Sequence, residues 1–393
     1  MSFADTLSMQ ASIEESEKDQ VTSEADLQEI IPADNTEKIN EIHEKQEFLT
    51  EKQLRFHIKA IRETIRSEEE RLRKQHTWLQ HQNLIGLTIF VLSLISCAVT
   101  ATLYFKNIIT WYVTVPLIAI SVSFLHELEH DLIHNLYFKG KEWVQHFMFA
   151  VIWATKLSAN PWYRKVVHLR HHIVSGQVED IEERFIGLGM EFNWLRALIS
   201  FYPWSNIMIF PNIRRDNKRV FGFDMWLIVF IINTPGPVLF TVLLHAFVGY
   251  LRLITGFTFG PNDPCLNYPL FLWPYVRDIG VLLVLPNLIR QTSLNLIASY
   301  CHYYGDIPKH NVFYQNQVLN HWALLPFHLF CFNFGATHII HHFVTNQPFY
   351  LRQMLAPKAT EALIKHGIRN NDLDVLKKNN RFFNNPEEIK KSA

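Results

Sequence analysis

The sequence predicts an all-α, polytopic membrane protein, with about four transmembrane helices in two hairpins and a helical cap on one side. Three observations predict it. Several long stretches carry no charged residue. Basic residues concentrate in the segment between the second and third of those stretches. Three histidine clusters fall where spans end or in the polar segments beyond them.

The elements follow in chain order. Residues 1–37 are acidic and polar with few apolar positions, and such a tail has too little apolar surface to order itself. Residues 38–82 are charged but periodic. Leu54, Ile58, Ile61, Ile65 and Leu72 recur at spacings of three and four for most of their length, which predicts an amphipathic helix resting on the domain or the membrane surface. Glu68 interrupts the stripe and disfavours a coiled coil. Residues 84–105 are uncharged, and a spanning helix needs about 20 such residues. Lys106 and Asn107 form a short turn, and 108–125 is again uncharged, so a hairpin is expected. A third span is expected at 225–251, interrupted by Pro235, Gly236 and Pro237. A fourth is expected at 268–289, with Arg277 and Asp278 inside it, or shifted to 279–297, which contains Arg290. Stretches 143–155 and 197–213 are too short or too proline-broken to span and suit helices lying in the interface. The membrane domain is therefore placed at 83–355 and a C-terminal tail at 356–393.

Composition narrows the function. The 393 residues include 37 basic and 37 acidic ones, a balance that argues for neither nucleic acid nor an acidic substrate. Hydrophobic residues make up 48%. Because the first eighty residues are highly charged, the rest is richer still. Cys97, Cys265, Cys301 and Cys331 form no CxxC pair, which points to neither a disulfide framework nor a thiolate metal site. The start, MSFADTLSMQ, has no basic region followed by an apolar one, so no cleaved signal peptide is expected. The 106–107 turn has one Lys and 252–267 one Arg, whereas 127–222 carries Lys139, Lys141, Arg164, Lys165, Arg214, Arg215 and others. The positive-inside rule puts that segment and both termini in the cytoplasm. All three histidine clusters then share one side.

The clusters are His126, His130 and His134 in HELEHDLIH, His168, His171 and His172 in HLRHH, and His338, His341 and His342 in HIIHH. Residues three or four apart share a helix face, so each cluster presents its rings together. Neutral imidazole suits iron, zinc and copper. Nine clustered histidines exceed what one zinc ion uses, since zinc takes about four ligands. Two metal ions sharing the set in the cytoplasmic cap is the economical reading; membrane-bound histidine sites that hold two irons activate dioxygen. For His134 three readings stay open: ligand, support for a ligand, or ordinary polar helix residue. His43, His57, His76, His81, His321 and His328 read as ordinary polar positions, and His245 falls inside an apolar stretch.

The order HxxxH, HxxHH, HxxHH, set around two membrane hairpins, resembles the membrane fatty acid desaturase superfamily. The spacing of about forty residues between the first two boxes fits that resemblance; sterol and fatty acid hydroxylase relatives usually place them closer. The third box, HHFVTNQPFYL, carries Pro348-Phe349-Tyr350 as the desaturase pattern does. NLIASYCHYYG, residues 295–305, resembles the region that supplies a further histidine, here His302. The likeness covers about residues 84–355. HELEH and the HYYG around His302 also resemble the alkane hydroxylase branch. The resemblance implies ligands at His126, His130, His168, His171, His172, His302, His338, His341 and His342. It implies two iron ions, dioxygen as co-substrate, and insertion of a double bond into a fatty acyl or lipid chain. Groups that fix the rings are sought among Glu127, Glu129, Asp131, Glu179, Asp180 and Asn295, each of which can instead be an ordinary surface group.

No fused electron carrier is visible in this sequence: HPGG is absent, Thr234-Pro235-Gly236-Pro237 is no substitute, and no CxxC pair suits rubredoxin. The resemblance therefore implies an external donor, cytochrome b5, ferredoxin or rubredoxin with its reductase. Four rivals remain at this level. A hydroxylase or alkane monooxygenase would use the same ligands. An intramembrane zinc protease built on HELEH would leave both HxxHH clusters unexplained. A soluble carboxylate-bridged iron protein needs two Glu-x-x-His elements, and Glu127-Leu128-Glu129-His130 supplies one. A histidine-rich transporter would place histidines inside the spans. Lys390-Lys391-Ser392-Ala393 fits a dilysine retrieval signal, which places the protein in the endoplasmic reticulum of a eukaryote; in a bacterium the inner membrane is expected.

Overall fold

The computed structural model describes residues 37, 39, 41, 47–201, 206–217, 235–257 and 270–383. The expected acidic tail before Glu37, the first part of the expected third span and the dilysine terminus lie outside them. The described residues are helical with no β-strand, apart from two isolated bridges, His302 with Asn316 and Val318 with Asn370.

Helix α1, Glu51–Gln75, begins at a capping box: Thr50 Oγ1 accepts from Gln53 N, and Gln53 Oε1 accepts from Thr50 N at 2.9 Å. It buries Leu54, Ile58, Ile61, Ile65 and Leu72, the stripe read from the sequence. Glu68 does not break it, because its carboxylate turns outward to Arg71. The stripe packs on the domain itself, against Ile339, Ile340, Leu351 and Leu355.

Helix α2, Gln82–Phe105, and α3, Trp111–Ile133, form the first hairpin. On α2, Leu84, Leu87, Val91, Ile95 and Val99 are exposed along one face. A stripe of large apolar side chains this long suits lipid rather than water. Its other face is small or polar at Gly86, Ser93 and Thr100, and Ser121 Oγ of α3 donates to Ser96 Oγ at 2.9 Å. α3 differs in burial. From Leu125 to Ile133 every residue is buried, so the helix continues past the expected span end at 125 and enters the cap.

The cap follows with α4 Glu142–Lys156, α5 Pro161–Val174, α6 Ile181–Phe185, α7 Trp194–Phe201 and α8 Asn206–Asp216. Along α4, Trp143 and Phe147 are exposed while Met148, Phe149 and Ile152 are buried, the one-sided pattern of a helix lying in an interface. Helix α9 is described over Pro235–Thr255 and carries Pro235, Gly236 and Pro237 at the start of that range.

The fourth span is Trp273–Cys301, composed of α10 Trp273–Ile279, a π-turn at Gly280–Val284 and α11 Leu285–Cys301. It contains all three charged residues that made its limits ambiguous. Arg277 and Asp278 pair at 2.8 Å near one end, where Tyr104 Oη at the end of α2 donates to Asp278 Oδ1 at 3.1 Å. Gly280 has structural cause: a Cβ there would overlap the Phe247 ring of α9. Short α12 Val312–Gln315 leads to α13 Leu325–Phe330 and α14 Phe334–Phe343. The stretch Trp322–Phe330, which holds α13, bends by 76° against α14. Helix α15, Phe349–Lys365, then crosses α1. Among the described residues, four helices are long and apolar enough to cross a membrane, or five if the bent pair Trp322–Phe330 and Phe334–Phe343 forms one broken span. Val375, Leu376, Phe382 and Phe383, in the segment expected to be a tail, are buried in the same core as α1.

Candidate metal centre

Four segments supply the histidines. α3 places His126 and His130 one turn apart and ends at His134. α5 starts at Asn160, whose Oδ1 accepts from the N–H groups of Trp162 and Tyr163, with Pro161 in the first turn. It presents His168, His171 and His172. His302 follows α11 in extended backbone. α14 is buried along its length from Gly335 and carries His338, His341 and His342.

The rings converge in two adjoining groups. His130, His134, His168, His172 and His341 each bring a ligand nitrogen within 4.8 Å of the others. His171, His302, His338 and His342 do the same. In the first group, His168 Nε2 lies 3.1 Å from His134 Nε2 and 3.2 Å from His172 Nε2. His341 Nε2 lies 3.0 Å from the Nε2 atoms of both His134 and His172. In the second group, His338 Nε2 is 2.9 Å from His302 Nε2 and 3.0 Å from His342 Nε2, and His171 Nε2 is 3.1 Å from His342 Nε2. The rings of His172 and His342, 4.7 Å apart, join the groups.

Hydrogen bonding between imidazoles does not explain this packing. His168 Nδ1 is 2.8 Å from Glu182 and His171 Nδ1 is 2.8 Å from Asp180. His302 Nδ1 is 2.7 Å from the Ala298 carbonyl. Glu182 and the Ala298 carbonyl each accept the Nδ1 proton of their ring, which leaves a lone pair at Nε2 of His168 and of His302. His171, beside Asp180 and Glu183, favours positive charge that a metal ion would supply in place of a second proton. Lone pairs about 3 Å apart repel unless a cation lies among them. Metal–nitrogen bonds of about 2.1 Å at right angles put neighbouring ligand atoms about 3.0 Å apart. His130 Nε2 is buried with no hydrogen-bond partner among the described residues. The two groups can hold metal ions, and the donor set fits them.

Carboxylates hold the rings, not all of them where the sequence pointed. Asp180 caps α6, its Oδ1 accepting from Glu183 N at 3.2 Å while Oδ2 holds His171. Glu182 holds His168. Glu183 Oε1 lies 2.9 Å from His302 Nε2 and 3.3 Å from His171 Nδ1, and Ser175 Oγ and Gly176 N donate to its two oxygens. Glu182 and Glu183 escaped the sequence reading; the signal was the acidic run 179–183, which begins seven residues after HLRHH. Burial disfavours charge on His171, but Asp180 and Glu183 outweigh it and raise the ring to about 10. Burial would raise Glu182, yet His168 outweighs it and holds the carboxyl at about 2. A field of this sign favours any cation at these rings.

The other candidates lie apart. Glu179 faces the surface and pairs with Lys309 at 3.0 Å. Glu127 is buried, 3.7 Å from Arg352. Asp131 accepts from Tyr137 Oη and Phe349 N, each at 2.9 Å, and from Arg352 at 3.1 Å, so it ties α3 to the start of α15 beside His130. Glu129 accepts from Lys156 and Arg164. Asn295 bonds Gln291 and the Ser200 carbonyl.

His126, expected among the ligands, stands outside both groups, and His134 stands within the first. His126 Nδ1 accepts from Lys156 Nζ at 2.9 Å, and its Nε2 lies 3.3 Å from Arg164. Burial lowers Lys156 to about 7 although Glu129 opposes it. These groups border a cavity of about 340 Å³ that also touches His130, His168, His171, His302 and His338.

Comparison with known families adds one finding. The family model described as Fatty acid desaturase matches residues 109–373, more than half of the chain and every histidine of both groups. No curated protein matches the chain.

Proposed function

Because the chain belongs to the fatty acid desaturase family, we propose that it is a membrane-bound di-iron oxidase introducing a double bond into a fatty acyl or lipid chain. The observation that carries this reading is the convergence of nine imidazoles into two groups of ligand geometry beside an apolar-walled cavity. The proposed ligands are His130, His134, His168, His172 and His341 for one ion, and His171, His302, His338 and His342 for the other. Iron, when bound, supplies the activation of dioxygen that an unactivated methylene group requires.

The reaction balances as follows: two hydrogens leave neighbouring carbons, and dioxygen, two external electrons and two protons leave as two waters. The chain's own residues bind, orient and exclude water. Asp180, Glu182 and the Ala298 carbonyl hold Nδ1 protons on His171, His168 and His302, which turns each Nε2 toward the centre. Asp131 and Arg352 brace α3 against α15 beside His130. Phe185, Ile199, Phe210, Phe240 and Leu294 form the apolar wall, which suits an acyl chain and keeps water from the reacting carbons. The cap and both termini face the cytoplasm, where an external carrier such as cytochrome b5, ferredoxin or rubredoxin delivers the electrons.

The test is a mass-spectrometric lipid profile of a host expressing the chain, beside His341→Ala. A product lacking two hydrogens, present only with the wild type, is expected. A product that gained one oxygen would move the reading to a hydroxylase. No product in a membrane supplied with iron and electron donor would overturn the oxidase reading.

A further inference from the structure

We propose that the cavity recognises the anionic head of its lipid substrate, a carboxylate, and that Arg290 is the group that receives it. The proposal rests on the oxidase reading for what happens in the chamber, but the charge inside it stands by itself.

Arg290 lies within the fourth span and is 1% exposed. A cation inside a membrane-spanning helix is costly and as a rule faces a partner or a functional cavity. Arginine does not escape the cost by losing its proton. Arg290 Nη2 donates to the neutral Gln291 Oε1 at 2.9 Å. Its Nε and Nη1 are buried with no hydrogen-bond partner among the described residues, and among them no carboxylate pairs with it. The buried carboxylate whose field reaches it most strongly is Glu129. Both Glu129 oxygens are already engaged, one by Lys156 at 2.8 Å and one by Arg164 at 2.7 Å. Glu182, the next acidic group on the cavity wall, bonds His168 and lies 3.7 Å from Arg164. The chamber carries Lys156, Arg164 and Arg290 beside Glu182 and Glu183 on its wall. These carboxylates and Glu129 are engaged by Lys156, Arg164, His168, His171 and His302, and Arg290 is the cation that none of them bonds.

A buried guanidinium with two unbonded donor nitrogens is a site for an oxyanion. The lining also includes Phe185, Ile199, Phe210 and Phe240, so the ligand is an amphiphile with an anionic oxygen head and a hydrocarbon tail. A carboxylate is the small anion that one guanidinium answers, and the chamber of about 340 Å³ must also accommodate reacting carbons next to the histidines. The structure thus selects a free fatty acid over a neutral ester or alcohol of the same chain.

The probes are radiolabelled palmitate and hexadecanol, which share a tail and differ in the head. Binding is measured on the full-length protein in detergent at neutral pH. The wild type should bind palmitate at least about tenfold more tightly than hexadecanol. Arg290→Gln should bring palmitate down to the affinity of hexadecanol, which itself should not change, and Arg290→Lys should restore part of the difference. Equal affinities for the two probes in the wild type would overturn the proposal without any variant having to fold. So would unchanged palmitate preference in Arg290→Gln. Turnover separates the two readings. Palmitate preference without any oxidised product in the iron-loaded, reductant-supplied enzyme sinks the oxidase and leaves the head site. Oxidation of neutral lipids without palmitate preference does the reverse.

Discussion

At the scale of single residues, the direction of a ring decides a histidine's role. His126, His130 and His134 recur every four positions on α3 and its end, so spacing treats them alike. The packing separates them: His130 and His134 join the first group, while His126 accepts from Lys156. Replacing His134 or His341 by Ala should lower bound iron, read by elemental analysis of the purified protein, whereas His126→Ala should keep it. Iron lost with His126 and retained without His134 would reverse the assignment. Asp180 acts one step further out, through His171. Asp180→Asn should weaken metal binding about 10- to 100-fold in a chelator competition, and an unchanged affinity would make Asp180 only the cap of α6.

At the scale of elements, two contacts make testable claims. α1 docks through His57, whose Nδ1 lies 2.9 Å from His366 Nδ1. Burial, and then the neighbouring His366, lower His57 to about 4, below the unperturbed value of about 6.5. Undocked α1 therefore binds more protons, and docking strengthens as pH rises. The contribution is full above about 6.5 and is lost as pH falls through about 4. Hydrogen exchange across Glu51–Gln75 should accelerate over that window, and His57→Leu should remove the pH dependence; acceleration that persists in the variant assigns it to another group. The second contact is Gly280 against Phe247, between the fourth and third spans. Gly280→Val should cost about 1–3 kcal/mol by overpacking, seen as a lower melting temperature in detergent. Phe247→Ala in the same chain should recover part of it, and additive losses would show that the two residues do not meet.

At the scale of the molecule, lipid-facing and cap-facing surfaces are continuous along single helices. α2 is open along an apolar face for its whole span, while α3 turns from partly exposed to wholly buried as it reaches the histidines. The 106–107 turn and the Tyr104–Asp278 contact lie at one end of the apolar helices and the histidines gather toward the other, and the proposed topology puts these ends on opposite sides of the membrane. In a chain with its native cysteines replaced, Asn107→Cys and Lys309→Cys should therefore react with an impermeant maleimide from opposite sides. Labelling of both from one side would overturn the proposed topology.

What the sequence by itself determined is local in origin. Hydropathy and charge along the chain located four candidate spans, because the cost of burying charge in lipid acts residue by residue, but fixed the ends of the first alone: the second helix runs on to Ile133 and the fourth to Cys301. The α1 stripe and the three histidine clusters were legible because helical periodicity needs only the backbone. The tertiary structure decided what depends on side chains from distant segments meeting. It placed His134 rather than His126 in a ligand group, and brought Glu182 and Glu183 to His168 and His302. It packed Ala359, Leu363, Ile368, Val375 and Phe382, from the segment 356–393, into the same core as α1. It also put Arg290, which the sequence offered only as a blemish in the fourth span, on the wall of the cavity. Spacing states which side chains share a face; only the crossing of α3, α5, α11 and α14 states what that face meets.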